Sequence, residues 1–125
     1  MPDAAILIVE DDPGAVEAFA YMLKDAGYAV RVAPDAHAAI TEVARERPAA
    51  IILDLHLPIT SGLEVLRQLR ATAPEAHIPV AVVTADYLVD SQVEREIRAM
   101  GAQLYFKPLW EEDLLRLVRA LVSGT

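Results

Sequence analysis

Short apolar runs alternate with amphipathic stretches five times along this chain. The first run, Ala5-Ile6-Leu7-Ile8-Val9, stops at Glu10-Asp11-Asp12-Pro13. Proline suits the first turn of a helix and acids favour that end of the helix dipole, so a helix is predicted to follow. Val16, Phe19, Ala20 and Leu23 keep helical spacing, and Gly27 stops the segment. Tyr28 to Ala33 reads as a second strand, in which Arg31 marks a wetter face and an edge position. Asp35 is placed to cap a second helix whose inner face is Ala36, Ala39, Ile40 and Val43. A third run, Ala49 to Leu53, ends at Asp54. The loop Leu57 to Gly62 leads to a third helix with Leu63, Leu66 and Leu69 inside and Arg67 and Arg70 outside. After a Pro-containing connection, Val80-Ala81-Val82-Val83 forms a fourth run, ended by Thr84-Ala85-Asp86. Leu88, Val89, Val93 and Ile97 predict a fourth helix closed by Gly101. Ala102 to Phe106 is a short fifth run ended by Lys107-Pro108, and Leu114, Leu117, Val118 and Leu121 stripe a last helix.

Strands that are apolar on both faces, each followed by a helix, imply a parallel sheet covered on both sides. Right-handed crossovers leave few arrangements, and the expected fold is α/β, a doubly wound five-stranded parallel sheet. The 125 residues are read as a single domain, 1–125. With 54% apolar residues the chain can build a core without staples, and the absence of cysteine excludes disulfides, a thiolate nucleophile and a cysteine-ligated metal. A net charge of −8 argues against direct nucleic-acid binding and for a cation or a basic partner surface. No apolar run approaches the roughly 20 residues of a membrane span, and no basic stretch precedes an apolar block at the N-terminus. A cytoplasmic location is therefore expected.

In such a fold, ligands bind beyond the carboxyl ends of the strands. Those ends carry Glu10, Asp11 and Asp12, then Asp54, Thr84 and Lys107. Clustered carboxylates call for a counter-charge, and Mg2+ accepts one or two of them together with water and phosphate oxygens. Lys107 and the Thr84 hydroxyl suit a phosphoryl group, and a carboxylate between them can act as its nucleophile. Asp54 is the cluster acid from the middle strand and takes that part; Asp12 reads equally well as a solvated first-turn acid. His37 and His77 read as surface residues, and scattered histidines do not make a metal site. Trp110, at the start of the last helix, reads as core packing or, if partly exposed, as an interface residue.

Four motifs resemble the receiver domain of two-component response regulators. They are Ile6 to Pro13; Ile51 to Pro58 followed by Ser61 to Leu66; Pro79 to Ala85; and Gly101-Ala102 with Lys107-Pro108. The resemblance covers essentially the whole chain and implies a flavodoxin-like (βα)5 domain with strand order 2-1-3-4-5 and no output domain visible. It implies that Asp54 accepts a phosphoryl group from a sensor histidine kinase or phosphotransfer protein. Glu10, Asp11 and Asp54 would hold Mg2+ with the backbone carbonyl of His56. Thr84, Lys107 and the Ala85 backbone N–H would contact the phosphoryl group, and His56 and Asp86 would tune its lifetime. In the family the bond after the lysine is often cis. Family members often form homodimers through the fourth helix, fifth strand and fifth helix.

One spacing departs from the family. Its switch aromatic usually stands three residues before the lysine, where this chain has Leu104. Tyr105 stands two before and Phe106 one before, and Tyr105 is the expected switch residue, with Phe106 as the other candidate. Because side chains alternate along a strand, a one-residue difference changes the face each occupies.

Three other readings are weaker. An aspartyl-phosphate phosphohydrolase wants a second acid two residues after its nucleophile, where His56 stands. A nucleotide binder wants a Gly- or Ser/Thr-rich loop after the first strand, where this chain has acids. A phosphorylation-independent pseudo-receiver would not need the acid pair, Asp54, Thr84 and Lys107 together.

Overall fold

The computed structural model describes residues 5–72 and 77–123. Five strands and five helices alternate: β1 (Ile6–Val9), α1 (Pro13–Asp25), β2 (Val30–Ala33), α2 (Ala36–Arg45), β3 (Ala50–Asp54), α3 (Gly62–Thr72), β4 (Val80–Thr84), α4 (Ser91–Ala99), β5 (Gln103–Phe106) and α5 (Glu111–Ser123). All paired strands are parallel, in the order β2-β1-β3-β4-β5. The doubly wound sheet and its order are those expected from the alternation and the resemblance. The Pro-containing connection before β4 falls partly outside the described residues.

Strand alternation sorts the core onto two faces. Leu7, Val9, Ile51, Leu53, Val80 and Val82 pack with Ala39 of α2, Leu66 and Leu69 of α3 and Ile97 of α4. Ile6, Ile8, Ile52, Ala81 and Val83 pack with Phe19 and Leu23 of α1 and Leu114, Leu117 and Val118 of α5. Each large side chain so buried contributes roughly 1.5–3 kcal/mol, so β1, β3 and β4, buried on both faces, anchor the molecule. Their rigidity is what fixes the site at their carboxyl ends.

Local signals set the helix starts. The Asp12 carboxylate accepts from Ala15 N at 3.0 Å with Pro13 next, and Asp35 accepts from Ala38 N at 2.8 Å. Asp90 caps α4 through Gln92 N at 2.6 Å, so that helix begins at Ser91. Leu88 and Val89, expected within the helix, precede it, and Leu88 is 91% exposed. Competition from the Asp90 side chain for the backbone ends the apolar periodicity as a helix signal there. Gly27 ends α1 at a φ of 96° and Gly101 follows α4 at 78°, a region where glycine carries no steric penalty.

One expected orientation is corrected. Arg70, read as an outside residue, donates from Nε to Met100 O and from Nη1 to Ile78 O, both at 2.9 Å. It ties α3 to the end of α4 and the approach to β4. Trp110, open from sequence between core packing and an exposed position, is 69% exposed. Arg31 does mark the edge strand, where it bonds Glu42 and the carbonyls of Glu42 and Glu46 at the end of α2. No helix among the described residues is long and apolar enough to cross a membrane.

Candidate functional site

The carboxyl ends of β1, β3, β4 and β5 bring together Glu10, Asp11, Asp54, Thr84 and Lys107. Glu10 follows β1 and is 2% exposed; Asp11 is exposed. Asp54 closes the central strand at 6% exposure, and Thr84 closes β4 fully buried. Glu10, Asp11 and Asp54 each offer a carboxylate oxygen within 4.8 Å of the others. Lys107 Nζ lies 2.6 Å from Glu10 Oε1 and 3.9 Å from Asp54 Oδ1.

Burial pushes the Asp54 carboxyl up to about 6, the Glu10 charge adds to the rise, and Lys107 opposes it. Asp54 also accepts a long hydrogen bond from His56 N at 3.4 Å. The group is thus a desolvated carboxylate beside an ammonium, at the mouth of a strand. The donor set fits a hard divalent cation: three carboxylates converge on a space balanced by a single ammonium, and oxygen-only ligation suits Mg2+. Asp12 falls outside this group because its carboxylate is engaged as the α1 cap.

The β4–α4 turn is organised around Thr84. Its hydroxyl oxygen accepts from Asp86 N at 3.0 Å, and Asp86 Oδ1 accepts from Leu88 N at 2.8 Å. His56 Nε2 sits 3.4 Å from Asp86 Oδ2, so the residues two beyond Asp54 and Thr84 meet across the site. Ala85 lies beside Thr84, in the wall of a groove that also includes Lys107. The Lys107–Pro108 peptide bond is cis.

The two aromatic residues of β5 part company. The register sets Tyr105 opposite Val83 and Phe106 opposite Thr84. Tyr105 packs on the α1/α5 side, with its hydroxyl bonded to Gln103 Oε1 at 3.1 Å. Phe106 stacks on Tyr87, ring centroids 5.3 Å apart and planes 21° from parallel.

Two contributors were not singled out from sequence. Tyr87 donates its hydroxyl to the Lys107 carbonyl at 2.5 Å. The partner is a backbone atom just past β5, twenty residues along the chain, and no residue pattern advertises such a contact. Gly62 was visible only as a motif member. A Cβ there would lie 2.2 Å from Asp54 O and 2.9 Å from Leu55 Cα, so only glycine lets α3 begin against the end of β3.

A central strand ending in a buried aspartate, flanked by two acids, a threonine and a lysine, defines a class. The family model of the response regulator receiver domain matches residues 6–119, and the chain belongs to that family. Among its relatives, the response regulator MprA of Mycobacterium leprae is 42% identical over 122 residues, which cover 96% of this chain and 51% of that protein. The MprA of Mycobacterium avium is 40% identical over the same shares. The chain therefore spans about half the length of these relatives. In structure it is similar to the chemotaxis protein CheY4 of Vibrio cholerae, at TM-score 0.86 and 26% identity over 96% of this chain and 99% of that one. The signal receiver domain of a histidine kinase from Syntrophus aciditrophicus aligns at TM-score 0.84 and 29% identity, over 98% of this chain and 92% of that one.

Proposed function

We propose that this chain is a phospho-acceptor switch, in which Asp54 takes a phosphoryl group from a histidine of a sensor kinase or phosphotransfer protein. The observation that carries the reading is the buried Asp54 carboxylate, 3.9 Å from the Lys107 ammonium and within 4.8 Å of the carboxylates of Glu10 and Asp11. A carboxylate oxygen of Asp54 attacks the phosphorus in line. The new O–P bond forms as the N–P bond of the phosphohistidine breaks, and the departing imidazole keeps the electron pair. Lys107 moves from Glu10 to the phosphoryl oxygens, the Thr84 hydroxyl bonds a second, and the Ala85 N–H is available to a third. Mg2+, held by Glu10, Asp11, Asp54 and the His56 carbonyl, would neutralise charge on the phosphoryl group.

The acyl phosphate then biases the equilibrium of the β4–α4 turn through Thr84, a population shift within one fold. The face built from α4, β5 and α5 carries the change, and its unpaired edge strand makes it the surface for a homodimer or an output partner. The groove beside Lys107, lined by Phe19, Met22, Tyr87, Pro108 and Leu109, is the approach for the histidine-bearing partner. Residues 1–125 act as one receiver domain. His56 and Asp86 border the phosphoryl group and set its lifetime.

The test is phosphate-affinity electrophoresis after acetyl phosphate treatment, with and without Mg2+, on the wild type and Asp54→Asn. A Mg2+-dependent shifted band that vanishes in the variant is expected. A wild type that never shifts, even with a cognate phosphohistidine donor, would overturn the reading in favour of a phosphorylation-independent interaction module.

A further inference from the structure

Lys107 has to place a flexible four-carbon side chain on a phosphoryl group, so its backbone must be held. It stands just past β5, an edge strand with a neighbour on one side only. Its N–H donates to Thr84 O at 2.8 Å, in continuation of the β4–β5 ladder. Its carbonyl has no further strand to meet, and the next residue, Pro108, has no N–H to continue the pairing. The Tyr87 hydroxyl takes up this carbonyl at 2.5 Å. Both backbone polar groups of Lys107 are thus held by the end of β4 and the turn that follows it.

Tyr87 is itself fixed from two directions. Its ring lies on Phe106, the residue opposite Thr84 in the sheet. Its backbone sits between Asp86, whose N–H bonds the Thr84 hydroxyl, and Leu88, whose N–H bonds the Asp86 carboxylate. The Asp86 N–H shares the Thr84 oxygen that is to meet the phosphoryl group, so a turn of that hydroxyl changes the anchorage of the segment carrying Tyr87. The short spacing between Tyr105 and Lys107 leaves Phe106, not Tyr105, in the position for this contact.

We propose that Tyr87 is a positioning residue for Lys107: its hydroxyl sets where the lysine backbone stands, and its stack on Phe106 ties that setting to the state of Thr84. The inference rests on the phospho-acceptor reading and adds a residue to it. Tyr87 touches no reacting atom and acts through Lys107.

The decisive variant is Tyr87→Phe, which keeps the ring stack and removes only the hydroxyl. Two quantities are measured on the full chain with Mg2+: the rate of Asp54 phosphorylation by acetyl phosphate, and calorimetric affinity for beryllofluoride, a tetrahedral phosphoryl mimic. Both are expected to fall about five- to tenfold, the scale of one hydrogen bond, while the melting temperature stays close to that of the wild type. In a Lys107→Ala background the same substitution is expected to leave the residual phosphorylation rate unchanged, because the two residues act as one unit. A Tyr87→Phe variant equal to the wild type in both measurements overturns the inference, as does additivity of the two substitutions. If the wild type is neither phosphorylated nor bound by beryllofluoride, the phospho-acceptor reading itself fails and this inference with it.

Discussion

The Lys107 ammonium rests on Glu10, at 2.6 Å, and stands off from Asp54, at 3.9 Å. Glu10 adds its own charge beside the Asp54 carboxylate and so raises its proton affinity, on top of burial. Glu10→Gln is expected to lower the Asp54 pKa from about 6 toward, but not to, the usual 3.8, since burial remains. A pH titration of the Asp54 side-chain carbon by NMR, without Mg2+, reads this directly; an unchanged midpoint would mean that burial alone sets it.

The same shift makes stability depend on pH. The folded state holds the Asp54 proton up to about 6, whereas the unfolded chain releases it near 3.8. Between those values the folded state binds more protons, so the contribution of this group to stability falls as pH rises and is lost above about 6. Asp54→Asn removes the effect. In chelator, the variant is expected to melt several degrees higher than the wild type at pH 7.5, with the gap closing below pH ~4.5. Added Mg2+ is expected to stabilise the wild type at pH 7.5 and progressively less as protons compete for its ligands. Thermal scans across pH, with and without the ion, decide the matter.

Asp11 and Asp12 are neighbours with different work. Asp12 caps α1, and Asp12→Ala is expected to cost about 1 kcal/mol of stability with Mg2+ affinity within twofold of the wild type. Asp11→Asn, altering an exposed member of the carboxylate cluster, is expected to weaken Mg2+ binding at least tenfold with stability nearly unchanged. Denaturant titration and calorimetry on both variants separate cap from ligand.

Gly62 is a steric requirement of the site. A Cβ 2.2 Å from the Asp54 carbonyl cannot be accommodated without moving α3 or the end of β3. Gly62→Ala is expected to destabilise the fold by about 1–3 kcal/mol, as overpacking does, and to slow acetyl phosphate labelling of whatever remains folded. Labelling at the wild-type rate in a destabilised variant would show that the backbone shift is absorbed by α3 alone.

Much of this was legible in the chain. Short continuous apolar runs and period-3.6 stripes located the ten elements, because the burial of strands on two faces and of helices on one is written into residue order. Pro13 and Asp35 announced their helices because such signals need only the next few residues, whereas Asp12, read as a solvated first-turn acid, turned out to be the α1 cap. The acids after β1, Asp54, Thr84 and Lys107 could be gathered on one edge because parallel strands bring their carboxyl ends together. Arg70 was misread because its partners are the carbonyls of Met100 and Ile78, and hydrophobic periodicity says nothing of such bonds. Leu88 was misread because an apolar residue in a site-forming turn looks like the first turn of a helix.

What residue order determined by itself is therefore the two-faced sheet, its helices and the list of groups at its carboxyl edge. These follow from local propensity and the need to bury apolar side chains. Only the tertiary structure decided which of those groups touch. It set Lys107 on Glu10, aligned Phe106 rather than Tyr105 with Thr84, and brought the Tyr87 hydroxyl to a carbonyl twenty positions along the chain. Such contacts depend on strand register and backbone direction to within an ångström, and these arise from the packing of the whole molecule.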